Sequence, residues 1–261
     1  MSTKADILGI NVSAITMEET VRRIQGWIEK KQSNYVCVTP VCVVMEAQKD
    51  EGFRDIVNSA GLVTPDGMPL VWLSRLKGCR DAERVYGPDL MLEVCRVAQQ
   101  KEYSSFFYGG ADGVPQKLKD SLCGKFPGLK VVGAYSPPFR PLTTQEDEDV
   151  VRMINGFSPD IVWVGIGAPR QEKWMASHLG RLNAHVMIGV GAAFDFLSGA
   201  KRQAPRWIQR SGLEWLFRLI TEPRRLWRRY LIGNTLFVWL ILKEYISEKM
   251  GAKKWKTKES L

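Results

Sequence analysis

Short apolar runs alternate with longer amphipathic stretches along the first 190 residues of this chain. The short runs are rich in Val, Ile and Phe and are bounded by Gly, Pro, Asn or Asp, which is typical of buried strands. Between them, apolar residues recur at helical spacing, as at Ile24 and Ile28. Strands are predicted at residues 34–39, 61–63, 105–108, 129–134, 160–164 and 185–188.

Helix-start signals support the helices predicted between these strands. Thr16 with Glu19, and Thr143 with Glu146, fit capping boxes, in which each side chain bonds the backbone N–H of the other residue. Strands that alternate with helices form a mostly parallel sheet with right-handed crossovers. We therefore expect an α/β fold, with helices over residues 16–30, 45–58, 88–100 and 170–179, and others beginning near 68, 114, 143 and 223.

The residues that directly follow the strands suggest a binding site. In open α/β sheets, ligands bind at the carboxyl ends of the strands, which meet at one edge. Asp66 lies in Thr64-Pro65-Asp66-Gly67-Met68-Pro69, where it is either a turn or helix-capping residue or a functional carboxylate. Threonine, aspartate or glycine comes just past five predicted strands, at Thr39, Asp66, Gly109 with Gly110, Gly165 with Gly167, and Gly191.

The glycine motifs are compatible with several ligands. Gly165-x-Gly167 and Gly189-x-Gly191 begin like dinucleotide fingerprints but lack the third glycine, so a nicotinamide oxidoreductase is weakly supported. Gly109–Gly113 precedes a helix and is either a phosphate cradle or a tight glycine turn. The chain has no GxxxxGK[ST] and no GxSxG, and only two histidines, which disfavours P-loop NTPases and Ser-His-Asp hydrolases.

Two further segments carry polar groups suited to a ligand. Gln171 stands in the first turn of a predicted helix, beside free N–H donors, and follows the Gly165-x-Gly167-x-Pro169 run. This arrangement suits a polar or phosphorylated ligand. Asp195 lies between two phenylalanines and is either a capping residue or a ribose-binding carboxylate, by analogy with nucleotide-binding folds.

No metal or cofactor is expected from the sequence. Asp147-Glu148-Asp149 matches the DxD motif of metal-dependent sugar transferases. It directly follows a capping box, however, and the dipole of the helix that begins there stabilises acidic residues in its first turns. The chain has no His, Cys and acidic cluster at metal-ligand spacing. Its five cysteines form no CxxC pair, and its N-terminus lacks a signal-peptide pattern, so we expect a cytoplasmic protein.

The positive charge of the chain is concentrated near the C-terminus. Residues 201–261 carry 15 Lys and Arg against 5 Asp and Glu, whereas the first 200 residues carry 22 against 23. We therefore predict an α/β body, residues 1–200, followed by a basic amphipathic C-terminal appendage, residues 201–261, that meets something anionic. Its arginines are Arg218, Arg224, Arg225, Arg228 and Arg229.

Two interpretations of the appendage stay open. Arg224 with Arg228, and Arg225 with Arg229, lie at i, i+4, and we expect them to form one basic helix face. Residues 231–242 are strongly apolar but shorter than the roughly 20 residues of a membrane-spanning helix. The appendage either lies on an anionic membrane surface or packs on the body as an ordinary helix. Tryptophans beside a Leu, Ile and Val run suit a bilayer better than nucleic acid.

Four motifs together carry a resemblance to a known family. They are Thr64–Pro69, Glu83-Arg84-Val85-x-Gly87-x-Asp89-Leu90, Gly165–Trp174, and Gly189–Gly199 with its Pro205-Arg206-Trp207 continuation. The chain resembles the WecG/TagA/CpsF glycosyltransferases, glycosyltransferase family 26, over almost its whole length. The resemblance implies the Rossmann-like fold called GT-E. It also implies an inverting, metal-independent transfer of a sugar from a UDP-sugar to an undecaprenyl-diphosphate-linked saccharide of a bacterial surface polysaccharide.

The resemblance also implies roles for individual residues. Asp66 would be the general base that deprotonates the acceptor hydroxyl, Thr39 and Gln171 would line the pocket, and Arg84 would approach the diphosphate. The appendage would dock on the cytoplasmic face of the membrane and help to close the site. The family often has Asn where this chain has Val41.

That departure leaves the donor open among N-acetylmannosamine, its uronic acid and glucose. It also leaves open a rival hypothesis, a nucleotide-sugar-binding protein that has lost catalysis. The sequence does not decide between a monomer and a homo-oligomer.

Overall fold

Eight strands are present in the computed structural model, which describes residues 3–258, and the side chains of residues 3–247. Residues 1–2 of the predicted α/β body and residues 259–261 of the predicted appendage lie outside the described residues. The strands are β1 (Lys4–Ile7), β2 (Ile10–Ser13), β3 (Asn34–Thr39), β4 (Leu62–Pro65), β5 (Ser104–Gly109), β6 (Lys130–Tyr135), β7 (Ile161–Gly165) and β8 (Val186–Gly189).

Six of these strands form one parallel sheet, in the order β4-β3-β8-β7-β5-β6, and β1 and β2 form a separate antiparallel hairpin. Successive strand side chains point to opposite faces, so Phe106 packs in one apolar cluster and Phe107 in another across the sheet. Trp163 at the centre is fully buried. A parallel sheet covered on both faces confirms the predicted Rossmann-like α/β class.

The helices cover both faces of this sheet and then cross its carboxyl edge. The helices of the α/β body are α1 (Met17–Glu29), α2 (Val41–Ala47), α3 (Glu51–Asn58), α4 (Met68–Leu76), α5 (Gly87–Lys101), α6 (Val114–Lys125), α7 (Thr144–Phe157), α8 (Arg170–His178) and α9 (Ala193–Leu197), which follows the last strand. The appendage contains α10 (Arg206–Arg210), α11 (Glu214–Thr221), α12 (Pro223–Trp227), a π-helical segment (Arg228–Ile232) and α13 (Gly233–Lys258).

Local sequence signals place most of these elements correctly. Both capping boxes are present, since Thr16 and Thr143 each accept from the backbone N–H three residues on, and the glutamate there bonds back. The single helix predicted over residues 45–58 is wrong. The chain forms α2 and α3 instead, because the Asp50 carboxylate caps the backbone N–H of Phe53 and begins a new helix. The β1–β2 hairpin was not predicted.

Gly109 is required where β5 and β7 come closest. Its φ is +136°, and a Cβ on it would lie 2.5 Å from the backbone carbon of Gly165. The paired residues Gly109 and Gly165 therefore let the two strand ends meet without side chains between them. This close approach brings the β5 and β7 loops to one point on the sheet edge.

The appendage packs on the α/β body through two buried side chains. Leu226 in α12 and Phe237 in α13 are 2% and 4% exposed, and Phe237 belongs to a core cluster of the body. An ion pair between Lys77 and Glu244, 2.9 Å long, joins the end of α4 to α13. Among the described residues, no helix is both long and apolar enough to cross a membrane.

Candidate active site

A cavity of about 1800 Å³ lies over the carboxyl edge of the parallel sheet. The loops that follow β4, β5, β7 and β8 form its floor, and α11 to α13 of the appendage form its opposite wall. A proline-rich segment, Ser136–Leu142, closes one side. Among the described lining residues, eight are Lys or Arg and four are Asp or Glu, so the cavity is positively charged. Such a cavity suits an anionic ligand.

Asp66 lies at the floor of this cavity, between β4 and α4. Its backbone N–H donates to the Thr39 carbonyl at 3.0 Å, which continues the strand pairing one residue beyond Pro65. Its carboxylate oxygen Oδ1 accepts weakly from the Gly87 N–H, at 3.4 Å. Burial raises the pKa of Asp66 to about 6, with Arg84 lowering it and Glu214 raising it. A carboxylate with such a pKa is ionised at neutral pH and can accept a proton.

Arg84 is held beside Asp66 by several contacts. Its Nε donates to the backbone carbonyl of Asp66, and its guanidinium lies 4.1 Å from the centre of the Tyr86 ring. Its Nη2 forms an ion pair with the Glu214 carboxylate of α11. The Tyr86 hydroxyl donates to the other Glu214 oxygen at 3.0 Å. The cation that the family resemblance places near a diphosphate is thus paired with a carboxylate of the appendage.

Gln171 and Glu172 form a second, buried polar pair at the start of α8. Gln171 is 3% exposed and Glu172 is fully buried, and Gln171 Nε2 donates to Glu172 Oε1 at 2.8 Å. A Cβ at Gly189 would lie 3.1 Å from Gln171 Nε2, so the glycine makes room for the amide. Among the described residues, neither Gln171 Oε1 nor Glu172 Oε2 has a hydrogen-bond partner. Burial raises the pKa of Glu172 to about 7.

The arginines of the appendage do not form a single face, so that prediction is wrong. Arg218, Arg225 and Arg229 line the cavity, whereas Arg224 and Arg228 are exposed and lie outside its lining. Neighbouring helix positions differ by about 100°, so the two i, i+4 pairs point in different directions. Only one pair can face the body.

Arg229 contacts the body directly. Its Nη2 contacts the Cys42 sulfur of α2, and Cys42 also lines the cavity. Burial raises the pKa of the Cys42 thiol, and the charge of Arg229 opposes that rise. Arg229 therefore fixes the π-helical segment against α2.

An ion-pair network joins α9 to the appendage at the cavity wall. Lys201 lies 2.8 Å from an Asp195 carboxylate oxygen and 3.1 Å from one of Glu222. Glu222 in turn pairs with Arg225 at 2.7 Å. Asp195, Lys201 and Arg225 all line the cavity. The carboxylate considered as a ribose ligand is therefore present at the site, with Lys201 as its partner.

Most of the predicted site residues lie together, and four do not, because Thr39 and Gly109 are outside the cavity lining, as Arg224 and Arg228 are. Thr39 is fully buried, its hydroxyl donates to the Cys37 carbonyl at 3.0 Å, and it is outside the cavity lining, so its predicted pocket-lining place is wrong. Gly109 is also outside the lining, because the Gly165 backbone covers it. The predicted residues that do line the cavity are Asp66, Arg84, Gly110, Gly165, Gly167, Gln171, Gly191, Asp195, Arg218, Arg225 and Arg229.

The Asp147-Glu148-Asp149 stretch lies on α7, outside the cavity lining. Asp147 is 3.0 Å from His178 Nε2 and 2.8 Å from the Arg181 guanidinium, and Asp149 pairs with Arg152. The carboxylates of Asp147 and Asp149 thus have partners within the body. Among the described side chains, no group of three His, Cys, Asp or Glu is arranged as a metal site.

Glu214 is the main site residue that sequence reasoning missed. It is 130 residues from Arg84 in the chain, and no spacing rule connects the two. The single local signal is an acidic residue within a basic, aromatic segment. Glu172 stands in a motif that was recognised, but its complete burial followed only from the packing of α8.

Comparison with known proteins decides the family. A family model described as glycosyl transferase, WecG/TagA/CpsF family, matches residues 5–251. The chain belongs to the WecG/TagA/CpsF glycosyltransferase family. The resemblance to this family that was inferred from the four motifs is thereby confirmed, and the protein is a glycosyltransferase.

Two relatives of this family share most of their length with the chain. One, from Bacillus subtilis (strain 168), is 31% identical over 223 residues, covering 85% of this chain and 84% of the relative. Another, from Staphylococcus aureus (strain MRSA252), is 28% identical over 244 residues, covering 93% of each. Both are named N-acetylglucosaminyldiphosphoundecaprenol N-acetyl-beta-D-mannosaminyltransferase. The similarity extends over both the α/β body and much of the appendage.

Proposed function

We propose that this WecG/TagA/CpsF glycosyltransferase transfers a sugar from a UDP-sugar to a lipid-linked diphosphate saccharide, with inversion and without a metal ion. The observation that carries the proposal is the position of Asp66, a half-buried carboxylate on the floor of a large, positively charged cavity. The relatives act on an undecaprenyl-diphosphate-linked N-acetylglucosamine, as their names state. We propose the same acceptor class for this chain.

In this reaction Asp66 takes the proton from the acceptor hydroxyl. The hydroxyl oxygen then forms a bond to the anomeric carbon of the donor sugar, while the bond from that carbon to the diphosphate oxygen breaks. The electron pair of that bond leaves with UDP, and the proton stays on Asp66 until it passes to solvent. A single displacement of this kind inverts the anomeric configuration. The pKa of about 6 supports Asp66 as the base, because a carboxylate with a raised pKa binds a proton more strongly and is still mostly ionised at neutral pH.

The cations of the cavity would stabilise the departing diphosphate. Arg218, Arg225 and Arg229 enter from the appendage, and Arg170 and Lys173 enter from α8. Arginine binds diphosphate oxygens through two parallel N–H donors, and such fixed donors stabilise charge that develops on a leaving group. This set of cations supports a reaction in which arginines do the work that a divalent cation does in other transferases.

One end of the cavity is apolar and would hold the lipid of the acceptor. Trp72 and Leu76 of α4 and Val238 and Leu242 of α13 all line the cavity, and all four are substantially exposed. Exposed Leu76, at 83%, would be costly in water and favourable against a hydrocarbon chain. A lipid placed here would lead its diphosphate toward the arginines above Asp66.

The appendage would also hold the enzyme on the cytoplasmic face of the membrane. Trp227, Ile232 and Trp239 are about half exposed, and Arg224 and Arg228 stand beside them outside the cavity. Exposed tryptophans and arginines on one segment favour a position at the lipid headgroups. Peripheral attachment would place the apolar end of the cavity near the lipid-linked acceptor.

The test of this function is acceptor-dependent release of UDP. UDP-N-acetylmannosamine, its uronic acid and UDP-glucose are each mixed with undecaprenyl-diphosphate N-acetylglucosamine, with and without EDTA, and Asp66→Asn serves as the control. We expect release with one donor, unchanged by EDTA and absent in the control. Loss of release with EDTA would contradict metal independence. Binding of UDP by calorimetry without release from any donor would favour the rival, a UDP-sugar-binding protein without catalysis.

Val41 bears on which donor sugar the enzyme recognises. Val41 begins α2 and lines the cavity, and its apolar side chain cannot form the hydrogen bond available to the Asn that is common there in the family. The donor panel therefore includes sugars with and without an acetamido group. A single accepted donor would show what this chain recognises despite the missing amide.

A further inference from the structure

We propose that Glu214, on the first turn of α11, is a positioning residue of the active site, which orients Arg84 and tunes the proton-accepting carboxylate of Asp66. This inference rests on the proposed function of Asp66 as the base. It assigns to the appendage a role in the chemical step besides binding lipid and diphosphate.

The contacts of Glu214 connect the appendage with the base. One carboxylate oxygen pairs with Arg84 Nη2, and the other accepts from the Tyr86 hydroxyl at 3.0 Å. Arg84 in turn donates through Nε to the backbone carbonyl of Asp66. The side chains of Glu214 and Arg84 are 14% and 15% exposed, so the pair is well shielded from water. A shielded pair keeps a more definite geometry than a surface ion pair.

This geometry identifies what Glu214 does for Arg84. The Arg84 guanidinium donates two hydrogen bonds, one from Nε to the Asp66 backbone carbonyl and one from Nη2 to the Glu214 carboxylate. Its Nη1 makes a longer contact, 3.4 Å, with the Gln209 carbonyl. Without the Glu214 carboxylate, the guanidinium keeps only the backbone contacts and the stacking on Tyr86. Glu214 therefore sets the direction in which Arg84 presents its remaining N–H groups to the cavity.

The Asp66 carboxylate has charged and titratable neighbours on three other parts of the chain. Arg84 and Tyr86 face it from the segment before α5, Glu214 and Arg218 from α11, and Cys42 from α2. The negative charge of Glu214 opposes ionisation of Asp66, while Arg84 and Arg218 favour it. Removing the Glu214 charge thus leaves the cations unopposed, and Asp66 should ionise at lower pH.

The experiment compares Glu214→Gln with Glu244→Gln in the full-length enzyme. Both substitutions keep the side-chain shape and remove one ion pair between body and appendage, but the Glu244 pair with Lys77 lies outside the cavity lining. The pH dependence of kcat/KM is measured for each by UDP release. For Glu214→Gln we expect the acid limb to move down by about half a pH unit and kcat to fall about tenfold. Glu244→Gln should match the wild type in both respects.

A second measurement makes the inference independent of turnover. The Asp66 carboxyl carbon is labelled with ¹³C, assigned with Asp66→Asn, and titrated by NMR in the wild type, in Glu214→Gln and in Glu214→Asp. A lower midpoint in Glu214→Gln, with a nearly normal midpoint in the charge-keeping Glu214→Asp, supports the proposal. Equal midpoints in all three proteins would overturn it and leave Glu214 a structural tether. Lack of transferase activity in the wild type would instead count against the proposed function alone.

Discussion

Replacement of Asp66 by Asn tests the centre of the proposed mechanism. The amide keeps the shape of the side chain and an oxygen for the Gly87 N–H, so the fold should be unchanged. It cannot accept a proton, and general-base catalysis contributes about 10²- to 10⁴-fold. That factor corresponds to about 3–5 kcal/mol of activation free energy. We therefore expect kcat to fall at least a hundredfold, while UDP binds equally well or more tightly because a negative charge is gone.

The pH profile of the wild type gives the second half of this prediction. With a pKa of about 6, against a usual 3.8, Asp66 is almost fully ionised at pH 8 and about one-tenth ionised at pH 5. The value of kcat/KM should consequently fall about tenfold per pH unit below pH 6. In Asp66→Asn the small residual rate should lack this acid limb.

Initial rates of UDP release between about pH 4.5 and 8.5 measure both effects, and calorimetry with UDP measures binding. The reasoning is refuted if Asp66→Asn keeps more than about a tenth of the wild-type rate. It is also refuted if the acid limb of the wild type lies near pH 4, since Asp66 would then not feel the burial that the cavity imposes.

Three further predictions concern stability and membrane binding. Gly109→Ala should lower the free energy of unfolding by about 2–4 kcal/mol, because the new Cβ meets the Gly165 backbone at 2.5 Å. Glu172→Gln should raise the free energy of unfolding by up to about 3 kcal/mol at pH 8 but hardly at pH 4. The reason is that folding raises the Glu172 pKa from 4.5 to about 7, so the wild type loses stability as the pH rises through that range, and the uncharged Gln does not. Reversing Arg224 and Arg228 to Glu should weaken binding to anionic vesicles at least about tenfold.

Each of these predictions has a matched control. Urea denaturation of Gly124→Ala, at a helix position with nothing within 4 Å of the new Cβ, should show no loss of stability, and an equally tolerant Gly109 would contradict the close-approach argument. For Glu172→Gln, a stability gain of the same size at pH 4 and pH 8 would show that charge burial is not the cause. Reversing Lys117 and Lys125 on α6 should spare vesicle binding, and an equal loss there would indicate a general charge effect.

Local sequence signals were sufficient for much of the fold. The positions of the six strands of the parallel sheet followed from short apolar runs, since a strand buried on both faces must be largely apolar. The capping boxes at Thr16 and Thr143 were correct because both partners lie within three residues. The break between α2 and α3 was missed, although Asp50 is a strong N-cap residue, because the apolar spacing continues across it.

The sequence predicted where the candidate site lies, but not which way its side chains point. The carboxyl ends of parallel strands meet by topology, so Asp66, Gly165 and Gly191 had to lie near one another. Thr39 follows the same rule in position, but its side chain turns to the Cys37 carbonyl and away from the cavity. The rule places backbones and leaves the direction of each side chain to local packing.

The sequence by itself therefore determined the alternation of strands and helices, the parallel sheet, and the strand ends at which the site lies, because these depend on periodicity and on short-range hydrogen bonds. Only the tertiary structure decided that Glu214 meets Arg84 across 130 residues, and that Arg225 and Arg229 face the cavity while Arg224 and Arg228 face outward. Those outcomes depend on how α11 to α13 pack against the body. That packing is set by Leu226, Phe237 and the space above the sheet edge, and no spacing within the appendage encodes it.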